Sequence, residues 1–279
     1  MKIYISADMD GISGIGHRIQ ASRDINSFEY SRGCKLMTEE VNAAVEGIFK
    51  VDPNAEIIVN DAHGKSQNLI YEDMDERIKL IRGSAEYHDM MMGIDESYDA
   101  AMLIGFHARL QTKAAVLCHV WGLQDLYFNE KVAGEISINT YTAGSYDVPV
   151  VFVSGDKAIS EEVEFLSRES CGPIEMVVVK EGMTQHTALC SHPHMTRRWI
   201  KEGAARALNK LDQIKPAKLA TPIKLEMHFT NPGQADAASM MPGVERTGPL
   251  STLFVADHFT EIKRAFYSQV RLVRPWLQF

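Results

Sequence analysis

From the amino terminus, short unbroken apolar runs alternate with longer stretches in which apolar residues return every three or four positions. The first run, KIYISAD (2–8), ends on a carboxylate and reads as a strand. A helix is predicted from about Phe28 to Lys50, with Leu36, Met37, Val41, Ala44, Val45 and Ile48 at helical spacing. Asp52-Pro53-Asn54 breaks it, and EIIVND (56–61), IKLIRG (78–83) and AAMLIGFH (100–107) read as further strands, with AVLCHV (115–120) a short apolar run. Asn129-Glu130 marks a hairpin turn before a helical pattern from Glu135 to about Ser145. PVVFVSGD (149–156) is the β-branched run expected of a strand buried on both faces of a parallel sheet. Helical periodicity returns at 158–168 and, after His192-Pro193, at 194–212.

Between 214 and 222 the composition shifts to Lys, Pro, Ala and Thr, as in a connector. A strand (223–230), a Gly/Pro-rich stretch (231–249), a strand (250–256) and a helix (258–272) follow. This alternation predicts an α/β fold: a mostly parallel three-layer α/β/α sheet domain over residues 1–215 and a second, smaller α/β unit over 216–279.

In open sheets of this kind ligands gather at the carboxyl ends of the strands. The polar residues that end the strand-like runs are therefore the candidates for chemistry. Asp8 and Asp10 follow the first strand, and Asn60, Asp61 and His63 the second. His107 ends AAMLIGFH, His119 lies at the end of AVLCHV, and Glu135 opens a helix. Carboxylate oxygen and neutral imidazole nitrogen are common zinc ligands, and a carboxylate can bridge two ions. Two ions about 3.5–4 Å apart can clamp both ends of a hydrolytic transition state. Each residue alone has a plainer reading. An Asp-x-Asp before glycine suits a turn, His107 and His119 suit hydrogen-bonded core histidines, and Glu135 suits a helix N-terminus. Their shared position at one edge of one sheet sets them apart from those plainer readings.

Composition narrows the class. The 279 residues carry a formal charge of −8, from 29 Lys and Arg against 37 Asp and Glu, without a block of like charge. An acidic, evenly mixed surface argues against nucleic acid and membrane-surface partners. The apolar runs fall well short of the ~20 residues of a spanning helix, and the amino terminus lacks the pattern of a signal peptide. Cys34, Cys118, Cys171 and Cys190 are scattered, which fits reduced thiols in a cytoplasmic protein.

Other features carry less. Gly11, Gly14 and Gly16 imitate a dinucleotide fingerprint at the wrong spacing. His186, His192 and His194 read as loop and cap residues, and Met90-Met91-Met92 as adaptable packing.

The segments MKIYISADMDGISG, VNDAHGKSQN, LIGFHA, Cys118-His119, VAGEISIN, YDVPVVFVSGD and NPGQADAASMMPGVERTG run in this order along nearly the whole chain. Together they resemble the zinc-dependent D-aminopeptidases of the dipeptide-operon type. The resemblance implies two zinc ions per subunit bridged by Asp8, with Asp10 and His63 on one and His107 and Glu135 on the other. It also implies a catalytic His119, short peptides with a D-residue at the amino terminus as substrates, and a self-compartmentalising decamer of stacked pentamers. The family carries Glu where this chain has Asp10, one methylene shorter.

Three rival readings accompany that expectation. Asp8-Met9-Asp10-Gly11 resembles the opening of haloacid-dehalogenase phosphatases, with Ser154-Gly155-Asp156 as a loose later motif, but that reading leaves His63, His107 and His119 without work. A structural metal scaffold would ordinarily use more thiolates. A metal-dependent amidase acting on a non-peptide amide shares all the same metal chemistry.

Overall fold

The long apolar runs become the strands of one sheet because both faces of that sheet are covered. In the computed structural model, which describes residues 1–83, 89–168 and 172–274, this sheet has seven strands. β1 (Lys2–Ala7), β2 (Glu56–Asp61), β3 (Lys79–Ile81), β4 (Ala100–Phe106), β7 (Val150–Asp156) and β8 (Glu175–Thr184) are parallel, and β9 (Thr187–Cys190) closes one edge antiparallel. The spatial order is β3-β2-β1-β4-β7-β8-β9. The chain thus steps from β1 to one side through β2 and β3, then returns to β4 and continues to the other. The switch point lies between β1 and β4, where ligands collect in such sheets.

Helix α2 (Ser27–Val51) packs on α5 (Pro193–Leu208), and both contact this sheet, while α3 (Glu135–Gly144) packs on β4 and β7. Asn26 caps α2 by accepting from the amides of Phe28 and Glu29, and His192 caps α5 by accepting from the amide of His194. The short helices α1 (Arg18–Ala21) and α4 (Ser160–Leu166) flank this layer. Among the described residues, no helix is long and apolar enough to cross a membrane.

The second sheet is antiparallel, in the order β11-β12-β10-β5-β6. β10 (Ile223–His228), β11 (Glu245–Arg246) and β12 (Ser251–Ala256) come from the carboxyl-terminal part of the chain, with α6 (Pro232–Ala238) and α7 (Phe259–Val273) beside them. β5 (Asp125–Phe128) and β6 (Lys131–Val132) join it from earlier in the chain. The sheet therefore draws strands from both sides of residue 215. The Asn129-Glu130 turn forms as expected, with φ of 48° and 69°, the two positive values that a tight two-residue hairpin requires.

Two differences from the sequence reading have clear causes. AVLCHV does not pair into either sheet. Ala114 and Leu117 take positive φ, and the amides of Val116 and Leu117 donate to Asp156 Oδ2 and to the Gln185 carbonyl. The hairpin β8–β9 carried no expectation, because the fully buried Lys180 interrupts the apolar pattern of its first strand. Cys34 and Cys118 are buried free thiols and Cys190 an exposed one, while Cys171 lies outside the described residues.

At the switch point the backbones touch. The amide of Asp8 donates to the Ile104 carbonyl at 2.8 Å and that of Gly11 to the Gly105 carbonyl at 2.7 Å. A Cβ on Gly11 would lie 2.0 Å from the Phe106 carbonyl oxygen. Gly105 has φ +74°, and a Cβ there would meet the Asp8 carbonyl oxygen at 2.2 Å. Glycine at these two positions lets the loop after β1 press against the end of β4, which brings Asp8 beside His107.

Candidate metal centre

Asp8, Asp10, His63, His107, His119 and Glu135 meet at that edge. Asp8 and Asp10 lie in the loop after β1, His63 in the turn after β2, and His107 directly after β4. Glu135 is the first residue of α3, where the positive end of the helix dipole favours a carboxylate. His119 reaches in from the irregular loop ahead of β5. Asp8, Asp10, His107 and Glu135 are buried, whereas the side chain of His119 is 47% exposed and stands at the mouth.

The three imidazoles share one arrangement, with one ring nitrogen against a backbone carbonyl and the other against carboxylates. His63 Nε2 lies 2.8 Å from the Ala21 carbonyl, and its Nδ1 lies 2.7 Å from Asp8 Oδ1 and 3.8 Å from Asp10 Oδ2. His107 Nδ1 lies 2.8 Å from the Ala108 carbonyl, with Nε2 3.3 Å from Glu135 Oε2 and 3.8 Å from Asp8 Oδ2. His119 Nδ1 lies 2.8 Å from the Leu117 carbonyl, with Nε2 3.7 Å from Glu135 Oε1. The rings of His107 and His119 stack with centroids 4.4 Å apart. A carbonyl that takes the proton of one nitrogen fixes the tautomer and turns the other lone pair inward, as at metal-ligating histidines.

This donor set fits metal ions. Asp8 Oδ2 and His107 Nε2 are buried without a hydrogen-bond partner, a costly state that a cation would relieve. Ligand atoms come within 4.8 Å of one another in three groups: Asp8-Asp10-His63, Asp8-His107-Glu135 and Asp10-His107-His119. The first two share only Asp8, as a bridged pair of sites would. The third includes His119 as a further donor.

The electrostatics agree. Burial alone depresses the His63 imidazole, but Asp10 and Asp8 outweigh it and lift the group to about 10. His107 is raised well above its ordinary value, with Glu135 and Asp8 overcoming its burial. Burial raises the carboxyls of Asp10 and Glu135, yet the neighbouring histidines bring both below the usual range. The pocket favours positive charge among its carboxylates, and a divalent cation supplies it without a proton.

Two acidic residues noted in the sequence support the backbone around the site. Asp61 accepts from the amides of Asn68 and Leu69 and from Asn68 Nδ2, which also donates to the His63 carbonyl at 2.6 Å. This clamps the turn that carries His63. Asp61 stood at a strand end, so its position was a visible signal, but its acceptor role depends on the loop folding back. Asp156, the acidic residue of the phosphatase reading, is buried and accepts from the amides of Val116 and Ile159. A separate cavity of about 240 Å³ between α3, residues 217–221 and the start of α7 contains none of the six residues.

Comparison with known proteins converges on one family. The peptidase family model Peptidase_M55, described as D-aminopeptidase, matches residues 1–268. A D-aminopeptidase of Bacillus subtilis (strain 168) is 34% identical over 275 residues, spanning 98% of this chain and 97% of that protein. The solved structure of the Zn-dependent D-aminopeptidase DppA from Bacillus subtilis, described as a self-compartmentalizing protease, superimposes with a TM-score of 0.91 at 33% identity. The match covers 98% of this chain and 97% of that one. The chain belongs to the D-aminopeptidase family.

Proposed function

We propose that this protein is a zinc-dependent aminopeptidase that releases a D-configured amino-terminal residue from short peptides or aminoacyl amides, using two zinc ions per chain. The observation that carries the reading is the pair of buried, unpartnered atoms, Asp8 Oδ2 and His107 Nε2, inside two donor groups that share Asp8. Asp8 would be shared between the two ions, Asp10 and His63 would help hold one, and His107 and Glu135 the other. Bound zinc supplies Lewis-acid polarisation and acidifies water near neutral pH.

The chain's own residues do the rest. The carbonyls of Ala21 and Ala108 hold His63 and His107 in the tautomers that turn lone pairs inward. His119 works at Nε2, because the Leu117 carbonyl occupies the proton on its Nδ1. Half exposed at the mouth, it accepts a proton as the attacking water loses one and returns it to the leaving amine. Burial of the other donors excludes bulk water from behind the scissile bond. A free α-amino group serving as a further ligand to one zinc would account for action at the end of a peptide rather than within it.

The self-compartmentalizing relative supports assembly of this chain into a closed homo-oligomer, for which we take a decamer of stacked pentamers, working on small peptides in the cytoplasm. Residues 1–215 form the catalytic unit and 216–279 the smaller one, which borrows β5 and β6 from the first. Family membership and the three inward-facing imidazoles favour this reading over the phosphatase and the scaffold.

The test is hydrolysis of matched D- and L-aminoacyl amides and dipeptides by metal-analysed protein, before and after chelation. Zinc-restored cleavage of the D-series is expected. Zinc-dependent cleavage confined to the L-series would remove the stereochemical assignment, and inactivity on both with two zinc ions bound would remove the peptidase reading for this substrate range.

A further inference from the structure

The loop from Asp8 to Gly16 carries two of the proposed ligands and contains no regular secondary structure. Something other than a helix or strand ladder must hold it. On one side its amides use the end of β4, as described. On the other side stands Lys180, on β8, only 2% exposed. Its Nζ donates to three main-chain carbonyls of this loop: Asp10 at 2.5 Å, Ile12 at 3.1 Å and Ile15 at 2.6 Å. An ammonium has three protons, and all three are spent on one segment.

A buried lysine is costly unless its charge and donors are met. Here the donors are met by carbonyls, and the charge faces Asp156, its cross-strand neighbour in register, along with Asp10 and Glu40. Glu40, buried on α2, accepts the amide of Ser13 at 3.1 Å and the hydroxyl of Thr196 at 3.2 Å. The loop is therefore gripped by its carbonyls from β8 and by an amide from α2. A neutral apolar side chain of similar length would leave the carbonyls of Asp10 and Ile15 short of a donor, while that of Ile12 would keep the amide of Ile15.

Asp10 joins this grip to the metal site. Its carbonyl is held by Lys180, and its carboxylate stands in the group with Asp8 and His63. An aspartate has one carbon fewer than glutamate with which to make up for a displaced backbone, so at this position backbone placement sets carboxylate placement. Lys180 also lies close enough to favour the ionised Asp10 carboxylate.

We propose that Lys180 is a positioning residue for the metal site: by gathering the carbonyls of residues 10, 12 and 15, its ammonium places the Asp10 carboxylate before a metal ion arrives. The proposal rests on Asp10 being a metal ligand, and the test separates failure of one from failure of the other. In the full-length protein, Lys180→Met and Asp10→Asn are compared with wild type by zinc stoichiometry and by zinc affinity in competition with a chromophoric chelator. Loss of outer-shell support at metal sites costs about 10–100-fold in affinity. One zinc is expected to weaken by about that much in Lys180→Met, with the other held as in wild type, and Asp10→Asn is expected to weaken the same zinc. Unchanged affinities in Asp10→Asn would overturn the ligand assignment. A weakened zinc in Asp10→Asn with both affinities intact in Lys180→Met would overturn the positioning role alone, even if Lys180→Met lowers Tm.

A second measurement needs no variant to fold. Hydrogen exchange in zinc-depleted wild type is expected to show the amides of residues 10–16 already protected, close to their protection with zinc bound. Protection that develops only on adding zinc would mean that metal, rather than Lys180, orders the loop, and would overturn the proposal.

Discussion

Each sheet presents a histidine beside a glutamate, and the two pairs mean different things. In the second sheet His228 Nε2 lies 2.6 Å from Glu226 Oε1, with side chains 33% and 39% exposed. Both residues belong to β10, two positions apart, and water reaches both. At the first sheet His107 Nε2 lies 3.3 Å from Glu135 Oε2, with side chains 1% and 4% exposed, and a second carboxylate, Asp8, stands on the same nitrogen. The difference follows from strand direction. Parallel strands send all their carboxyl ends to one edge, so residues far apart in sequence converge there. Antiparallel neighbours send theirs to opposite edges, and the carboxylate beside His228 comes from its own strand. Residue types do not identify a site; convergence, burial and unmet hydrogen bonding do.

The largest expected effect comes from breaking the convergence at its shared point. Asp8→Ala removes the residue common to both proposed sites. A Lewis-acid contribution of several kcal/mol corresponds to a loss of at least ~10³ in kcat/KM. Zinc analysis of the purified variant should show fewer than two ions per chain, and added zinc should not restore activity. Wild-type turnover by this variant would mean that the two groups do not act as one centre.

Next comes His119→Ala, which tests the division between the buried donors and the residue at the mouth. General acid–base groups contribute about 10²–10⁴ in rate. The expected result is a fall in kcat of that size with zinc content unchanged. If zinc is lost with activity, His119 acts as the ligand that its grouping with Asp10 and His107 allows, and the proton would need another carrier.

A smaller effect separates proton from metal. Folded, zinc-free protein holds the His63 proton up to about 10, whereas the unfolded chain releases it near 6.5, the ordinary value for histidine (about 6.5). A group raised in this way stabilises the fold fully below the unfolded value and progressively less as pH rises through the folded one. Chemical denaturation in the presence of a chelator should therefore show stability falling between about pH 6.5 and 10. With zinc bound, the cation takes the place of the proton and the fall over the same range should shrink. Equal slopes with and without zinc would remove His63 from the metal site.

Much of this centre was legible because parallel strands buried on both faces read as unbroken apolar runs, and the polar residue ending each run stands out. Asp8, His63 and His107 stand at or just after the ends of such runs and Glu135 at a helix start, and the structure brings these four together. His119 joins them from a different local structure than its sequence suggests: AVLCHV looks like a strand, but the amides of Val116 and Leu117 are taken by Asp156 and Gln185 from distant elements. Lys180 was invisible because a lysine in a strand pattern signals solvent, and only the folded loop shows why one is buried. The pairing of β5 with β10 likewise joins residues 125–128 to residues 225–228, a separation that no local pattern encodes.

The smallest expected effect is the control that gives the comparison its scale. A double-mutant cycle on His228→Ala and Glu226→Gln should give a coupling below ~1 kcal/mol, the range of exposed ion pairs, and neither variant should alter zinc content or turnover. Water already solvates both partners in β10, so removing one leaves nothing buried and unmatched. The same cycle on His107→Ala and Glu135→Gln should be strongly non-additive in zinc affinity, because either change alone leaves a buried partner without its match. Strong coupling in the second sheet together with weak coupling in the first would reverse the argument, since burial and convergence would then fail to distinguish a site from a surface pair.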